Sequence, residues 1–220
     1  MAKHKLARFE ENRTFTNLMQ VSYESLQHDG FEWKGRWADY FGNDHPVVLE
    51  LGCGKGDYTV ALAQADRQNN YIGIDIRGAR LWRGAKTAFE DKMDNVAFIR
   101  TRIELIENFF STDEVSEIWI TFPDPQPKKP MKRLTSPRFI ERYKHIMRSG
   151  GAIHLKTDSQ ELHKYTIEEV VEPLGYTIEA ATTDLYSSGQ GGMAAAVQTF
   201  YEKGYLAEGR KITYLKFRVN

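Results

Sequence analysis

The sequence predicts an α/β fold, a mostly parallel sheet with helices on both faces. Three observations lead there. Short apolar runs alternate with segments of helical spacing, the pattern of repeated strand–helix–strand units. The runs read as buried strands. A glycine-rich stretch follows the first run and opens a helical segment, and such junctions are where open α/β sheets bind ligands.

Residues 1–40 come first and read differently. They are polar, aromatic (Phe9, Phe15, Tyr23, Phe31, Trp33, Trp37, Tyr40) and poorly periodic, so an N-terminal arm plus a packing segment is expected ahead of one domain over 41–220. The strands then follow as Val47–Leu51, Tyr71–Ile76, Val96–Ile99, Ile118–Phe122, Ala152–Leu155, Tyr176–Ile178 and Ile212–Val219. Tyr58, Leu62 and Ala65 share one helical face; Leu81, Ala85, Ala88 and Phe89 share a second. Phe139, Tyr143, Ile146 and Met147 mark a third helix, started by Ser136-Pro137, and Leu162, Tyr165 and Glu169 a fourth. The last two strands are expected to pair antiparallel at the sheet edge, because no long helix separates them.

Composition bounds the rest. At 220 residues, 41% of them hydrophobic and 27% charged, the chain is long enough for one well-buried core and is neither disordered nor low in complexity. The single cysteine, Cys53, excludes an intramolecular disulfide framework and a Cys-rich zinc site. The six histidines show no ligand spacing, so no metal is expected. No run reaches the length of a membrane helix and no apolar run follows the N-terminal charges, so a cytoplasmic protein without membrane contact, monomeric or homodimeric, is expected.

The first strand runs into Glu50-Leu51-Gly52-Cys53-Gly54-Lys55-Gly56. Glycines there let the backbone turn tightly and let a ligand approach closely. The next strand ends in Gly73-Ile74-Asp75, which places a carboxylate to accept from ribose hydroxyls. A P-loop would need Ser or Thr after Lys55, and the dinucleotide fingerprint would need its third glycine one residue later. The fourth strand ends in Thr121-Phe122-Pro123-Asp124-Pro125-Gln126-Pro127-Lys128-Lys129-Pro130-Met131-Lys132-Arg133. The prolines stiffen the backbone around Asp124, and that acid faces the same cleft.

The glycine turn with Asp75 resembles motif I of class I S-adenosylmethionine-dependent methyltransferases. With Phe122-Pro123-Asp124-Pro125 and the basic loop, the chain from about Val47 onward resembles the bacterial tRNA (guanine-N7)-methyltransferase family. That resemblance implies a Rossmann-like, seven-stranded sheet with an antiparallel edge strand. It also implies S-adenosyl-L-methionine as methyl donor, and a tRNA guanosine, position 46 of the variable loop, as acceptor. It carries Asp124 onto the catalytic position. Glu50, Gly52, Gly54 and Asp75 fall on cofactor positions, and Arg102 on one where many members have an acid. Lys128, Asp158, Thr199, Tyr201 and Glu202 fall on substrate positions. Gln126 stands where many members have Trp.

Plainer roles stay open beside these. Asp124 could cap a turn, Asp158 could cap the helix starting near Ser159, Thr199 and Tyr201 could be packing residues, and Glu202 a surface acid. A methyltransferase for another substrate, or a tRNA-binding protein without activity, would share much of the pattern. Charge favours an RNA partner. Lys+Arg and Asp+Glu are both 30, yet residues 121–150 hold eight basic side chains against Asp124 and Glu141. Lys128, Lys129, Lys132 and Arg133 are the expected tRNA contacts, with Lys3, Lys5 and Arg8 as a small basic arm.

Overall fold

The computed structural model describes residues 2–219. Lys3, expected on the basic arm, lies outside the described residues as far as its side chain is concerned. The chain opens with helix α1 (Ala2–Glu11), a two-residue strand β1 (Leu18–Met19), and helices α2 (Tyr23–His28) and α3 (Trp37–Phe41). The alternating part follows as β2 (Val47–Leu51), α4 (Asp57–Ala65), β3 (Asn70–Asp75), α5 (Gly78–Glu90), β4 (Val96–Arg100) and β5 (Val115–Thr121). Next come α6 (Pro137–Ile146), β6 (Met147–Thr157), α7 (Gln160–Thr166) and β7 (Thr177–Thr182). Three short helices, α8 (Leu185–Ser188), α9 (Met193–Ala196) and α10 (Phe200–Ala207), lead to β8 (Thr213–Arg218).

The strands form one sheet in the order β1-β4-β3-β2-β5-β6-β8-β7. Pairing is parallel from β1 through β6, and β8 runs antiparallel to both β6 and β7. Two details refine the expected topology. The last two strands do pair antiparallel, but β8 slots between β6 and β7, so the antiparallel strand lies one place in from the edge. The sheet also gains an eighth strand, because Leu18 and Met19 pair with Phe98 and Ile99 of β4. Two residues without alternation carry no periodic signal.

Helices cover both faces. Val47, Leu49 and Leu51 point into one core with Phe139, Ile140, Tyr143 and Ile146 of α6, and Val48 into the other with Tyr58, Leu62, Leu81 and Ala85 of α4 and α5. Most aromatics of the N-terminal segment belong to these cores, Tyr23 being exposed: Phe31, Trp37 and Phe41 pack on the first with Phe109 and Phe110, and Phe15 on the second. The Trp37 indole N–H donates to the Phe109 carbonyl (3.1 Å), which satisfies the one polar group it buries.

The strand order sets the place of the site. The chain lays β3 and β4 on one side of β2, then crosses to lay β5 and β6 on the other. Loops leaving the carboxyl ends of β2 and its neighbours therefore diverge and leave a crevice.

Candidate active site

That crevice is a cavity of about 800 Å³, within the range of small-molecule sites. Gly52 and Gly54 after β2, Asp75 at the end of β3 and Arg102 after β4 form one wall. Phe122–Gln126 after β5 and Asp158 after β6 form the other. A smaller cavity of about 280 Å³ adjoins it, lined by Glu50, Gly52, Gly54, Lys55, Tyr58, Thr121, Thr199, Tyr201 and Tyr205.

The first wall is made of backbone and buried acid. Gly52, Gly54 and Gly56 have φ of 75°, 59° and 73°, left-handed values that favour glycine. Gly52 N–H donates to the Ile74 carbonyl (2.8 Å), which pins the turn to the end of β3. Gly54 N–H donates to Asp75 Oδ2 (3.0 Å), and Arg77 N–H to Asp75 Oδ1 (2.7 Å). Each oxygen of Asp75 keeps a lone pair for a further donor. A side chain at Gly56 would collide with the Phe98 ring at 2.5 Å, so this third glycine serves packing of the turn against β4.

Glu50 is 3% exposed. Its Oε1 accepts from the Thr121 hydroxyl (2.5 Å) and its Oε2 from the Thr59 hydroxyl. Burial pushes its carboxyl up to about 7, against the pull of the two hydroxyls. Neither threonine was singled out in the sequence, although Thr59 stands in the first turn of α4 and Thr121 directly before Phe122.

The second wall consists of side chains on a bent loop, half-buried except for the exposed Asp124. Phe122 (φ 47°) and Gln126 (φ 44°) bracket Asp124, and each left-handed non-glycine residue costs on the order of 1–3 kcal/mol. The loop is held at both ends. Phe122 N–H donates to the Lys156 carbonyl (2.8 Å), and Arg133 Nε to the Pro125 carbonyl (2.9 Å). Asp124 itself is exposed and lines the cavity. Its Oδ1 accepts from Gln126 N–H (3.1 Å), the turn-capping contact, which engages one of its two oxygens.

Four sequence expectations change in this frame. Arg133 is 3% exposed, its guanidinium committed to Pro125, to Glu161 and to the face of Tyr165 at 4.2 Å; it anchors the loop and does not offer itself to phosphate. Ser159, not Asp158, caps α7, and Asp158 instead pairs with Arg210 (3.1 Å) while lining the cavity. Glu202 is no surface acid and reaches neither cavity. It is fully buried, ion-paired with Lys156, and it closes a capping box with Thr199. Thr199 accepts from Glu202 N–H (3.2 Å), so its side chain serves the helix although the residue lines the smaller cavity.

The remaining expected residues fall around the two cavities. Arg102 is exposed on the main cavity, and Tyr201 lines the smaller one with the Lys55 ammonium 5.5 Å from its ring centre. Lys128 and Lys129 are exposed on the loop, and Lys132 reaches the cavity. Arg8 stacks over Trp82 at 4.6 Å, which draws α1 onto α5. Arg80, Arg138 and Tyr205 line the site without having been foreseen. Tyr205 lies one helical turn after Tyr201, the only spacing that could have pointed to it.

Comparison with known proteins fits this geometry. Residues 44–215 match the family model described as "Putative methyltransferase". The chain is 53% identical over 222 residues to the tRNA (guanine-N(7)-)-methyltransferase of Christiangramia forsetii, covering 99% of both chains. It is 45% identical to that of Bacteroides thetaiotaomicron, over 100% of this chain and 87% of the relative. The chain belongs to the tRNA (guanine-N7)-methyltransferase family. Solved methyltransferases share the fold of this family member. An antibiotic-related methyltransferase superposes with TM-score 0.63 at 19% identity, and the 16S rRNA methyltransferase KamB with 0.64 at 14%. Each covers 84% of this chain and 93% of the solved one. Among the described residues no cluster could hold a metal ion, and no helix is long and apolar enough to cross a membrane.

Proposed function

We propose that this chain transfers the methyl group of S-adenosyl-L-methionine to N7 of a guanosine in tRNA, with position 46 of the variable loop as the target. The observation that carries this reading is the pairing of two unlike walls around one cavity. One is a glycine turn with Asp75, backed by Glu50 on the adjoining smaller cavity; the other is a proline-stiffened loop that presents Asp124.

The cofactor fits the first wall. The cavity has nucleoside dimensions, the turn presents glycine backbone, and Asp75 keeps acceptor capacity for ribose hydroxyls. Bound there, S-adenosylmethionine supplies an electrophilic methyl on a sulfonium. Glu50, buried behind the glycines, is poised to ionise beside a cation, and Arg102 borders the same cavity.

The second wall acts on the guanine. N7 carries an in-plane lone pair and no proton, so no base is needed before attack. Alignment is then the main source of acceleration, worth up to roughly 7–11 kcal/mol in comparable chemistry. The methylated ring is cationic, and Asp124 orients the base and stabilises that charge as it develops. Asp158, Tyr201 and the Thr199 backbone region border the space for the base. Glu202, with its carboxylate committed elsewhere, is not assigned a substrate contact.

Lys128, Lys129 and Lys132 grip tRNA phosphates, joined by Arg138 and, more remotely, by Lys5 and Arg8 on α1. The target base leaves its stack to enter the cavity. The test is incubation of the purified protein with labelled S-adenosylmethionine and unmodified bulk tRNA, followed by digestion to nucleosides. Label in 7-methylguanosine is the expected outcome. Label in another nucleoside, or none, would overturn the reading.

A further inference from the structure

Lys156 lies at the end of β6, two residues before Asp158, and is completely buried. An ammonium there needs three acceptors. It finds them all in the connection between β7 and β8: Glu202 Oε1 at 2.7 Å, the Ala194 carbonyl at 2.5 Å and the Val197 carbonyl at 2.8 Å. The Tyr58 and Tyr186 rings stand 5.2 and 5.9 Å from the nitrogen. Glu202 is fully buried too. Besides Lys156 it accepts from the Tyr186 hydroxyl, and its Oε2 accepts from Thr199 N–H (3.2 Å). Burial pulls the ammonium below the usual lysine range, and the Glu202 carboxylate offsets only part of that pull.

The connection joined in this way carries Thr199, Tyr201 and Tyr205 over the smaller cavity, opposite Glu50, Gly52 and Lys55. An apolar contact could hold two elements together as firmly. A buried ion pair replaced by apolar residues is often no less stable, but it fixes one geometry. Three directional bonds from one sheet residue set the height and register of the whole segment.

We propose that Lys156 is a positioning residue: with Glu202 it pins the α9–α10 segment closed over the cavity, so that Tyr201 and Tyr205 stand at the working distance from the glycine turn. The inference rests on the methyl-transfer reading. Its loss should appear in turnover more than in tRNA binding, because the basic loop lies on a different element.

The test compares wild type with Lys156→Met, the double variant Lys156→Met with Glu202→Met, and the milder Tyr186→Phe. Thermal unfolding, amide exchange of residues 185–207, and kcat and KM for tRNA are read on each. Lys156→Met leaves a buried carboxylate unpaired and lowers the melting temperature; the double variant recovers it. Both exchange several-fold faster over 185–207, and both lose about tenfold or more in kcat with tRNA KM changed by less than about threefold. Tyr186→Phe keeps the ion pair, folds, and shows the same two effects at smaller size. A double variant that melts like wild type and also turns over and exchanges like wild type would overturn the proposal, leaving the pair a fold element only. If the wild type forms no 7-methylguanosine, the functional reading fails, and the exchange comparison still decides the pin.

Discussion

The two walls of the cavity are built on opposite principles. The wall after β2 and β3 uses backbone amides, left-handed glycines and an acid, Glu50, sealed behind two hydroxyls. The wall after β5 and β6 uses side chains on a strained loop, Asp124 exposed among half-buried neighbours, held from behind by Arg133 and by the Lys156 carbonyl. The first is held by backbone amides bonded to the end of β3 and by a buried carboxylate bonded to α4 and β5. The first is suited to one invariant cofactor, and the second to a large polyanion that must enter and leave.

The comparison can be broken most severely on the first wall. Gly56→Ala meets both a left-handed φ of 73° and the Phe98 ring at 2.5 Å. It should cost about 3–5 kcal/mol by denaturant unfolding, overpacking and backbone strain together. Gly54→Ala, at φ 59° but with only the Gly52 carbonyl near the new Cβ, at 4.0 Å, should cost only about 1–2 kcal/mol. Equal losses at the two positions would show that packing against β4 does not matter.

Glu50 provides the next test. Its folded carboxyl titrates at about 7 against an ordinary 4.5, so between those values the folded state holds a proton that the unfolded state has lost. Stability is therefore fully present below about pH 4.5, falls as pH rises to about 7, and is flat above. The loss is on the order of 3 kcal/mol. Glu50→Gln should lack this slope. Urea midpoints of both proteins at pH 5 and pH 8, without cofactor, check it; parallel curves would contradict the burial argument.

The basic loop sharpens the contrast within the second wall. Replacing Lys128, Lys129 and Lys132 with Ala should raise the tRNA KM about tenfold and flatten its salt dependence, with stability unchanged. Arg133→Ala should do the reverse. It removes a buried clamp on Pro125 and should cost about 1–3 kcal/mol, while the salt slope holds. A smaller effect is expected at Thr199→Ala, about 1 kcal/mol for a lost helix cap, read by thermal unfolding.

The same contrast explains what was legible in the sequence. The glycine turn, Asp75 and the strands around them are written in consecutive residues, and β2 falls on Val47–Leu51 as expected. Asp124 was legible because two prolines mark its loop. Arg133, Glu202 and Lys156 were not. Each looks like an ordinary charge in sequence, and its ion-pair partner lies 28 or 46 positions away. Leu18 and Met19 were equally silent, since β4 alone makes them a strand. Local backbone chemistry can be read from one segment; a clamp needs both halves of its contact.

The central claim is that the two walls divide the labour, with the cofactor held by the first and the guanine acted on by the second. Asp124→Ala tests it most directly, with cofactor affinity by calorimetry and single-turnover formation of 7-methylguanosine measured on the same protein. Cofactor affinity within about twofold of wild type and a rate lower by about 10²–10³ are expected. A wild-type rate, or a rate loss matched by an equal loss of cofactor affinity, would contradict it.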